Sequence, residues 1–288
     1  MELLSPKRVA YSIGVSESSL KRWCDQGLIR SSKTPGGHRR LAVGDVVHFL
    51  RETNRPLAHP DAIGLPAEIG AGSTAGPDAT NQLRESLIQG READCRRLVL
   101  DRYLSGEPAA SLCEELVAPA MREIGDLWTC GSLEVFQERR ACEIVGHLIH
   151  ELRNIMPTPA PSAPIALGGA PSGDNYQLAT KMVELTLREA GWNARSLGSD
   201  LPYSTLVAAA KSDLPRLLWL SLTSSVGSDT SSADLQKNLQ DFRASLPEET
   251  GLVVGGQAVA QLDKTTLQKV RVCKTLADLT AYAEALLG

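Results

Sequence analysis

The sequence predicts a multidomain chain of α and α/β class: a small basic helical head, a four-helix bundle, and a five-stranded parallel sheet with helices on both faces. Three observations carry this expectation. Charge is spread unevenly along the chain, two proline-rich stretches separate blocks of different character, and near residue 164 the apolar pattern changes from helical spacing to short strand-like runs alternating with helices.

The 288 residues carry a formal net charge of −4. Residues 1–60 hold ten Lys/Arg against five Asp/Glu, so a head of net +5 sits on a body of net −9. That asymmetry points to a polyanion partner for the head. An apolar content of 42% supports packed cores. Cysteines at 24, 95, 113, 130, 142 and 273 form no C-x-x-C pair, which fits thiols in a reducing compartment. The start MELLSPKRV lacks the apolar core of a secretory leader, and no run nears the roughly 20 apolar residues of a membrane span. The expected location is the cytoplasm, with no membrane partner.

The head, residues 1–53, opens on Ser5-Pro6, a capping hydroxyl followed by proline at the first helical position. Val9, Ala10 and Ile13 supply its buried face and Gly14 stops it. Ser16 then caps a second helix, ESSLKRWCDQG, with Val15 and Leu20 as a hydrophobic staple. Two short helices across a tight glycine turn form a helix-turn-helix, whose second helix can enter the major groove. Ser18, Ser19, Lys21 and Arg22 then lie near DNA, Lys7 and Arg8 on the first helix add charge, and Leu20, Trp23 and Cys24 look inward. Thr34-Pro35-Gly36-Gly37 predicts a hairpin tip whose returning strand brings His38, Arg39 and Arg40 to phosphate. Residues 45–51, DVVHFLR, close the head as a helix.

Residues 54–80 carry four prolines and four glycines without periodicity and read as a flexible linker. The bundle spans 81–156, its last helix placing Ala141, Ile144, Val145, Leu148, Ile149 and Leu152 on one stripe. A stiffer Pro-rich linker, 157–163, follows. From 164 to 288, PIALG, NARSLG, RLLWLSLT, GLVVGG and VRVC read as strands between helices, a Rossmann-like (flavodoxin-like) domain. Ligands of such folds bind at the carboxyl ends of the strands, where the GDNY loop follows the first strand.

The head, above all TPGGHRRL after a helix ending in QGLI, resembles the winged helix-turn-helix of MerR-type transcriptional regulators over residues 5–52. By that resemblance the second helix reads bases, the wing with His38, Arg39 and Arg40 grips the backbone, and the protein dimerises or assembles further on a near-palindromic double-stranded site. The stretch 124–142, IGDLWTCGSLEVFQERRAC, resembles the helical cap of cobalamin-binding domains, with Trp128, Gly131 and Glu138 matching and Arg139 standing where a histidine is expected. The last block resembles the cobalamin-binding α/β domain. Gly173 and Asp174, Ser221 and Thr223, and Gly255 and Gly256 match, whereas Tyr176 replaces the cobalt-ligating histidine and Ala179 a glycine. Head, bundle and α/β block in this order resemble the CarH/LitR-like group of light- and cobalamin-responsive repressors.

All five histidines precede residue 151, so none is available in the α/β block to replace the lost ligand. The expected function is a DNA-binding regulator, a repressor in a light- or stress-linked pathway, whose body acts without a cofactor as a dimerisation or partner module. A second reading keeps Trp128, Glu138, Arg139, Asp174, Tyr176, Ser221, Thr223, Gly255 and Gly256 as a cavity for cobalamin bound without a protein histidine, or for another tetrapyrrole whose carboxylate pairs with Arg139. These residues also have a structural reading as packing, capping and turn positions. A corrinoid carrier for methyl transfer is disfavoured by the missing histidine, and no nucleotide-binding or hydrolase motif suggests an enzyme.

Overall fold

A computed structural model of the chain describes residues 3–69, 78–223, 232–268 and 270–287. They form two compact units, 1–158 and 159–288.

In the first unit, β1 (Leu3–Leu4) precedes α1 (Pro6–Ile13) and α2 (Glu17–Asp25). The Ser5 hydroxyl accepts from the Arg8 amide and the Ser16 hydroxyl from the Ser19 amide, so both helix starts use the capping serines read from the sequence. Gly14 ends α1 in the left-handed region. β2 (Ser32–Lys33) and β3 (Arg39–Ala42) form an antiparallel hairpin, and β1 pairs on the other side of β3. That third strand gave no sequence signal because it is only two residues long. α3 (Val43–Glu52) follows, with Val46, Val47, Phe49 and Leu50 buried.

Residues 54–69 differ from the flexible linker expected of them. Pro60–Ile63 forms a 3-10 turn, and Leu57, Ile63, Leu65 and Ile69 are buried. The amides of Ala58 and His59 both donate to the Ser12 carbonyl at 2.9 Å. Apolar residues scattered among prolines hide their burial, because no regular period marks them. The rest of that expected linker, 70–77, lies outside the described residues.

The bundle consists of α4 (Ala79–Gln89), α5 (Glu92–Leu104), a run from α6 (Ala109–Ser111) through a π-helical stretch (Leu112–Val117) into α7 (Ala118–Thr129), and α8 (Val135–Ile155). The π turn has a local cause. Pro119 has no N–H for the Glu115 carbonyl, the ladder widens so that Ala118 N–H reaches Cys113, and the Thr80 hydroxyl donates to Glu115 O at 3.3 Å. α8 begins with a capping box between Glu134 and Gln137, and buries the stripe expected of it, Ala141 to Leu152.

In the second unit, β4 (Ile165–Gly169), β5 (Asn193–Ser196), β6 (Leu217–Ser221), β7 (Gly251–Gly255) and β8 (Arg271–Val272) form one parallel sheet in the order β5-β4-β6-β7-β8. This is the flavodoxin-like order, with its switch point between β4 and β6. α9 (Gln177–Glu189) and α13 (Leu276–Leu287) cover one face around Trp192, Trp219 and Val253. α10 (Tyr203–Asp213) and α11 (Ser232–Ser245) cover the other around Leu218, Leu220 and Phe242, and a short α12 (Lys264–Leu267) follows β7. Alternate residues of β6 point to opposite faces, and both faces are apolar because each is covered. Among the described residues no helix is long and apolar enough to cross a membrane.

Burial raises the thiols of Cys95 and Cys142 and the phenol of Tyr203 to about 12, from ordinary values of 9.0 and 10.0. A raised acid favours its neutral form in the fold, so this stability is complete below about pH 9 and is lost as pH rises towards 12. Circular dichroism across that window should show unfolding, with Cys95→Ala moving the helical transition to higher pH. An unchanged midpoint would contradict the burial argument.

Candidate functional site

On the head, Ser18, Lys21 and Arg22 of α2 are exposed and Ser19 is half-buried. Ser18 and Ser19 both meet the Ser16 hydroxyl at 2.9 Å, and Lys21 pairs with Glu17 at 2.8 Å. Leu20 is fully buried, while Trp23 tilts onto Phe49 at 5.0 Å between ring centres. On α1, Lys7 and Arg8 are exposed and Arg8 Nε donates to the Ala62 carbonyl. At the hairpin tip, Gly37 N–H donates to Thr34 O at 2.8 Å and His38 N–H to Thr34 Oγ1 at 3.2 Å. Gly37 has φ +77°, a left-handed residue that a tight hairpin of this length needs. Gly36, Gly37 and His38 project into solvent.

The two arginines of β3 part ways, as successive strand residues must. Arg40 lies on the face away from Leu41 and is half-buried, its guanidinium donating to Arg39 O at 3.4 Å. Arg39, which the sequence places on phosphate, is turned inward. It donates to Asp25 Oδ1 at 2.5 Å and to the Lys21 carbonyl at 2.9 Å, and its side chain is 18% exposed. The Asp25 carboxylate holds the Arg39 guanidinium even more firmly protonated than usual. In this state Arg39 ties the hairpin to the end of α2.

In the helical unit, Trp128 at the end of α7 is 45% exposed, and Val135 and Phe136 at the start of α8 are exposed as well. Glu138 accepts from Cys142 Sγ at 3.2 Å and meets Arg139 Nε at 3.4 Å, while the Arg139 side chain is 75% exposed.

In the α/β unit, the loop after β4 is laced to its surroundings. Asp174 is 5% exposed. One of its carboxylate oxygens accepts from Thr223 N–H at 2.6 Å and Thr223 Oγ1 at 2.7 Å, and the other from Tyr176 N–H at 3.1 Å. Asp174 thus joins the carboxyl ends of β4 and β6 at the switch point. Asp200, which sequence reasoning missed, completes the lacing by accepting from Gly173 N–H at 2.9 Å, while its own N–H donates to Asp174 O at 2.9 Å. Its only sequence signal is the turn-forming run Gly198-Ser199-Asp200. Behind the loop, Trp219 Nε1 donates to Thr180 Oγ1 at 2.9 Å, which meets Ser196 Oγ at 3.1 Å. Thr180 and Ser196 were also missed, because lone hydroxyls carry no pattern.

Tyr176 stands at the N-cap of α9, half-buried, and Ala179 on the same first turn is half-buried. Ser221 ends β6 buried and pairs in register with Gly255. Gly256 has φ +106°, and a Cβ there would lie 2.3 Å from the Leu222 carbonyl oxygen. The second glycine of this turn is therefore required by the backbone beside it. The structure thus brings Asp174, Tyr176 and Thr223 together, with Ser221, Gly255 and Gly256 at the neighbouring strand ends. Trp128, Glu138 and Arg139 belong to the helical unit.

The chain is similar to several known proteins. A family profile described as B12 binding domain matches residues 79–153, the bundle. The HTH-type transcriptional repressor CarH of Myxococcus xanthus is 27% identical over 263 residues, covering 85% of this chain and 86% of that protein. The HTH-type transcriptional repressor CarA of the same organism is 25% identical over 222 residues, 75% of each chain. Among solved structures, the monomethylamine corrinoid protein of Methanosarcina barkeri superposes with a TM-score of 0.56 at 18% identity, covering 74% of this chain and 100% of that one, a likeness of fold. By these matches the chain is CarH-like, with a cobalamin-binding-like domain.

Proposed function

We propose that this protein is a DNA-binding transcriptional repressor whose body works without histidine-ligated cobalamin, as a dimerisation or partner module. The observation that carries the DNA reading is the solvent-exposed set of Ser18, Lys21 and Arg22 on a serine-capped second helix, beside an exposed hairpin tip with His38. In this reading the head is a MerR-type winged helix-turn-helix: α2 enters the major groove, and Lys7, Arg40, His38 and the backbone at Thr34, Gly36 and Gly37 meet phosphates. Arg39 joins them only by leaving Asp25. A near-palindromic operator and a homo-oligomer follow from so small a reader, and the similarity to CarH and CarA supports repression. A light- or stress-linked target is part of the same proposal.

The residues at the switch point do not fit a cobalt held by the protein. Position 176 offers a phenol in place of an imidazole, both oxygens of Asp174 are occupied by donors of the chain itself, and Ala179 adds a methyl group on the adjoining helical turn. No histidine lies in the α/β unit. A second reading, a sensor for another tetrapyrrole, is favoured by the exposed Trp128 ring and the exposed Arg139 guanidinium, which suit a flat ligand with a carboxylate.

Fluorescence anisotropy on an operator-like duplex tests the head. Arg22→Ala with Arg40→Ala should weaken binding about tenfold or more and lower the salt slope by about 1 to 2. Unchanged affinity would refute the reading surface. Absorption spectra after incubation with cobalamins and with tetrapyrroles, followed by gel filtration, test the body. A retained corrinoid band that alters DNA affinity overturns the cobalamin-free body, and a retained tetrapyrrole selects the sensor reading.

A further inference from the structure

We propose that the head and the helix bundle act as one clamped body, with α3 as the joint through which the state of the bundle sets the orientation of α2. Only the consequence for DNA rests on the function proposed above; the clamp stands on contacts within residues 3–158.

Three features make the clamp. At the start of α3, Gly44 lies against the backbone at the end of α8, so close that a Cβ would stand 2.1 Å from the Met156 carbonyl oxygen and 2.9 Å from Pro157 N. Seven residues later, about two helical turns along the same face, the Arg51 guanidinium lies 3.8 Å from the centre of the Tyr103 ring on α5. It also donates to the Glu107 carbonyl at 2.9 Å. Two anchors spaced along one helix resist both sliding and rotation, and each is specific: one admits no side chain, the other a planar cation over a buried ring. The third feature is the segment 54–69. Its bonds to Ser12 O and the stack of His59 on Tyr11, 4.1 Å between parallel rings, lay this stretch onto α1 and remove the slack a free connector would leave.

The clamp leaves the reading surface open, since α2 and the hairpin tip remain exposed. A clamped head is therefore compatible with DNA, and a shift of α8 against α5 would turn it. Packed helices shift between discrete arrangements, so a ligand or partner that favours one arrangement of the bundle selects one orientation of α2.

The test is nitrogen-15 relaxation on the full chain, with the variant Gly44→Ala plus Arg51→Ala. In the wild-type chain, head and bundle amides should share one rotational correlation time; in the variant, head amides should tumble faster. A head that already tumbles independently in the wild-type chain overturns the clamp, and that measurement needs no variant to fold. The same variant should lose about fivefold or more in operator affinity, with non-specific binding at low salt unchanged. A freed head with undiminished operator affinity would overturn the coupling. A clamped wild-type head that binds no DNA would instead sink the DNA-reading proposal and leave the clamp standing.

Discussion

Asp174→Ala should lower the stability of the α/β unit by about 3 kcal/mol or more, as a charge-assisted bond contributes about 1.5–3 kcal/mol and stranded donors add their own cost. The carboxylate is 5% exposed and satisfies Thr223 N–H, Thr223 Oγ1 and Tyr176 N–H together. Its removal takes the acceptor from the Thr223 amide and hydroxyl beyond β6 and from the hydrogen bond that the Tyr176 amide makes at the start of α9. Urea unfolding should show the loss in the transition of residues 159–288, and amide exchange at Tyr176 and Thr223 should accelerate. Asp174→Asn keeps an acceptor and should lose less. If alanine were tolerated with exchange unchanged, Asp174 would not be the latch of this loop.

Trp219→Ala should cost about 3–5 kcal/mol, the range for deleting a large buried aromatic. Trp219 is 1% exposed on the central strand, and its ring lies over Gly168, where a Cβ would stand 2.2 Å from the indole. One consequence is separate from simple cavity formation. The indole N–H holds Thr180, which meets Ser196, whose hydroxyl in turn accepts from Gly198 N–H at 3.2 Å; the Gly198 carbonyl accepts from Ala170 N–H at 3.0 Å. The substitution therefore loosens the same loop from behind. Trp219→Phe keeps most of the volume and loses only the hydrogen bond, so it should cost about 1–2 kcal/mol. Equal losses for the two variants in urea unfolding would show that the polar chain, and not the packing, dominates.

Much of the site was legible because its parts have local causes. Ser5-Pro6 and Ser16 announce helix starts through a hydroxyl and a fixed φ, and Pro35-Gly36-Gly37 announces a hairpin through the backbone it permits. The GDNY loop was marked by its place after a buried apolar strand. The direction of Arg39 was not legible. Its neighbour Arg40 has the same chemistry, and only the strand register and the position of Asp25 at the end of α2 separate one inward cation from one beside solvent.

The sequence by itself determined the order of the blocks, the identity and caps of most helices, the parallel strands, and the presence of a phenol at position 176 with no histidine after residue 150. These rest on residue type and on spacing over a few positions. The tertiary structure decided which of those groups remain free. It gave the Asp174 carboxylate to Thr223 and Tyr176, turned Arg39 onto Asp25, laid residues 54–69 along α1, and set Gly44 against Met156. Each of those contacts joins residues whose meeting depends on how whole elements pack. A hydrogen bond or a close backbone approach between distant positions leaves no period in the chain, so its partner becomes visible only once the elements are in place.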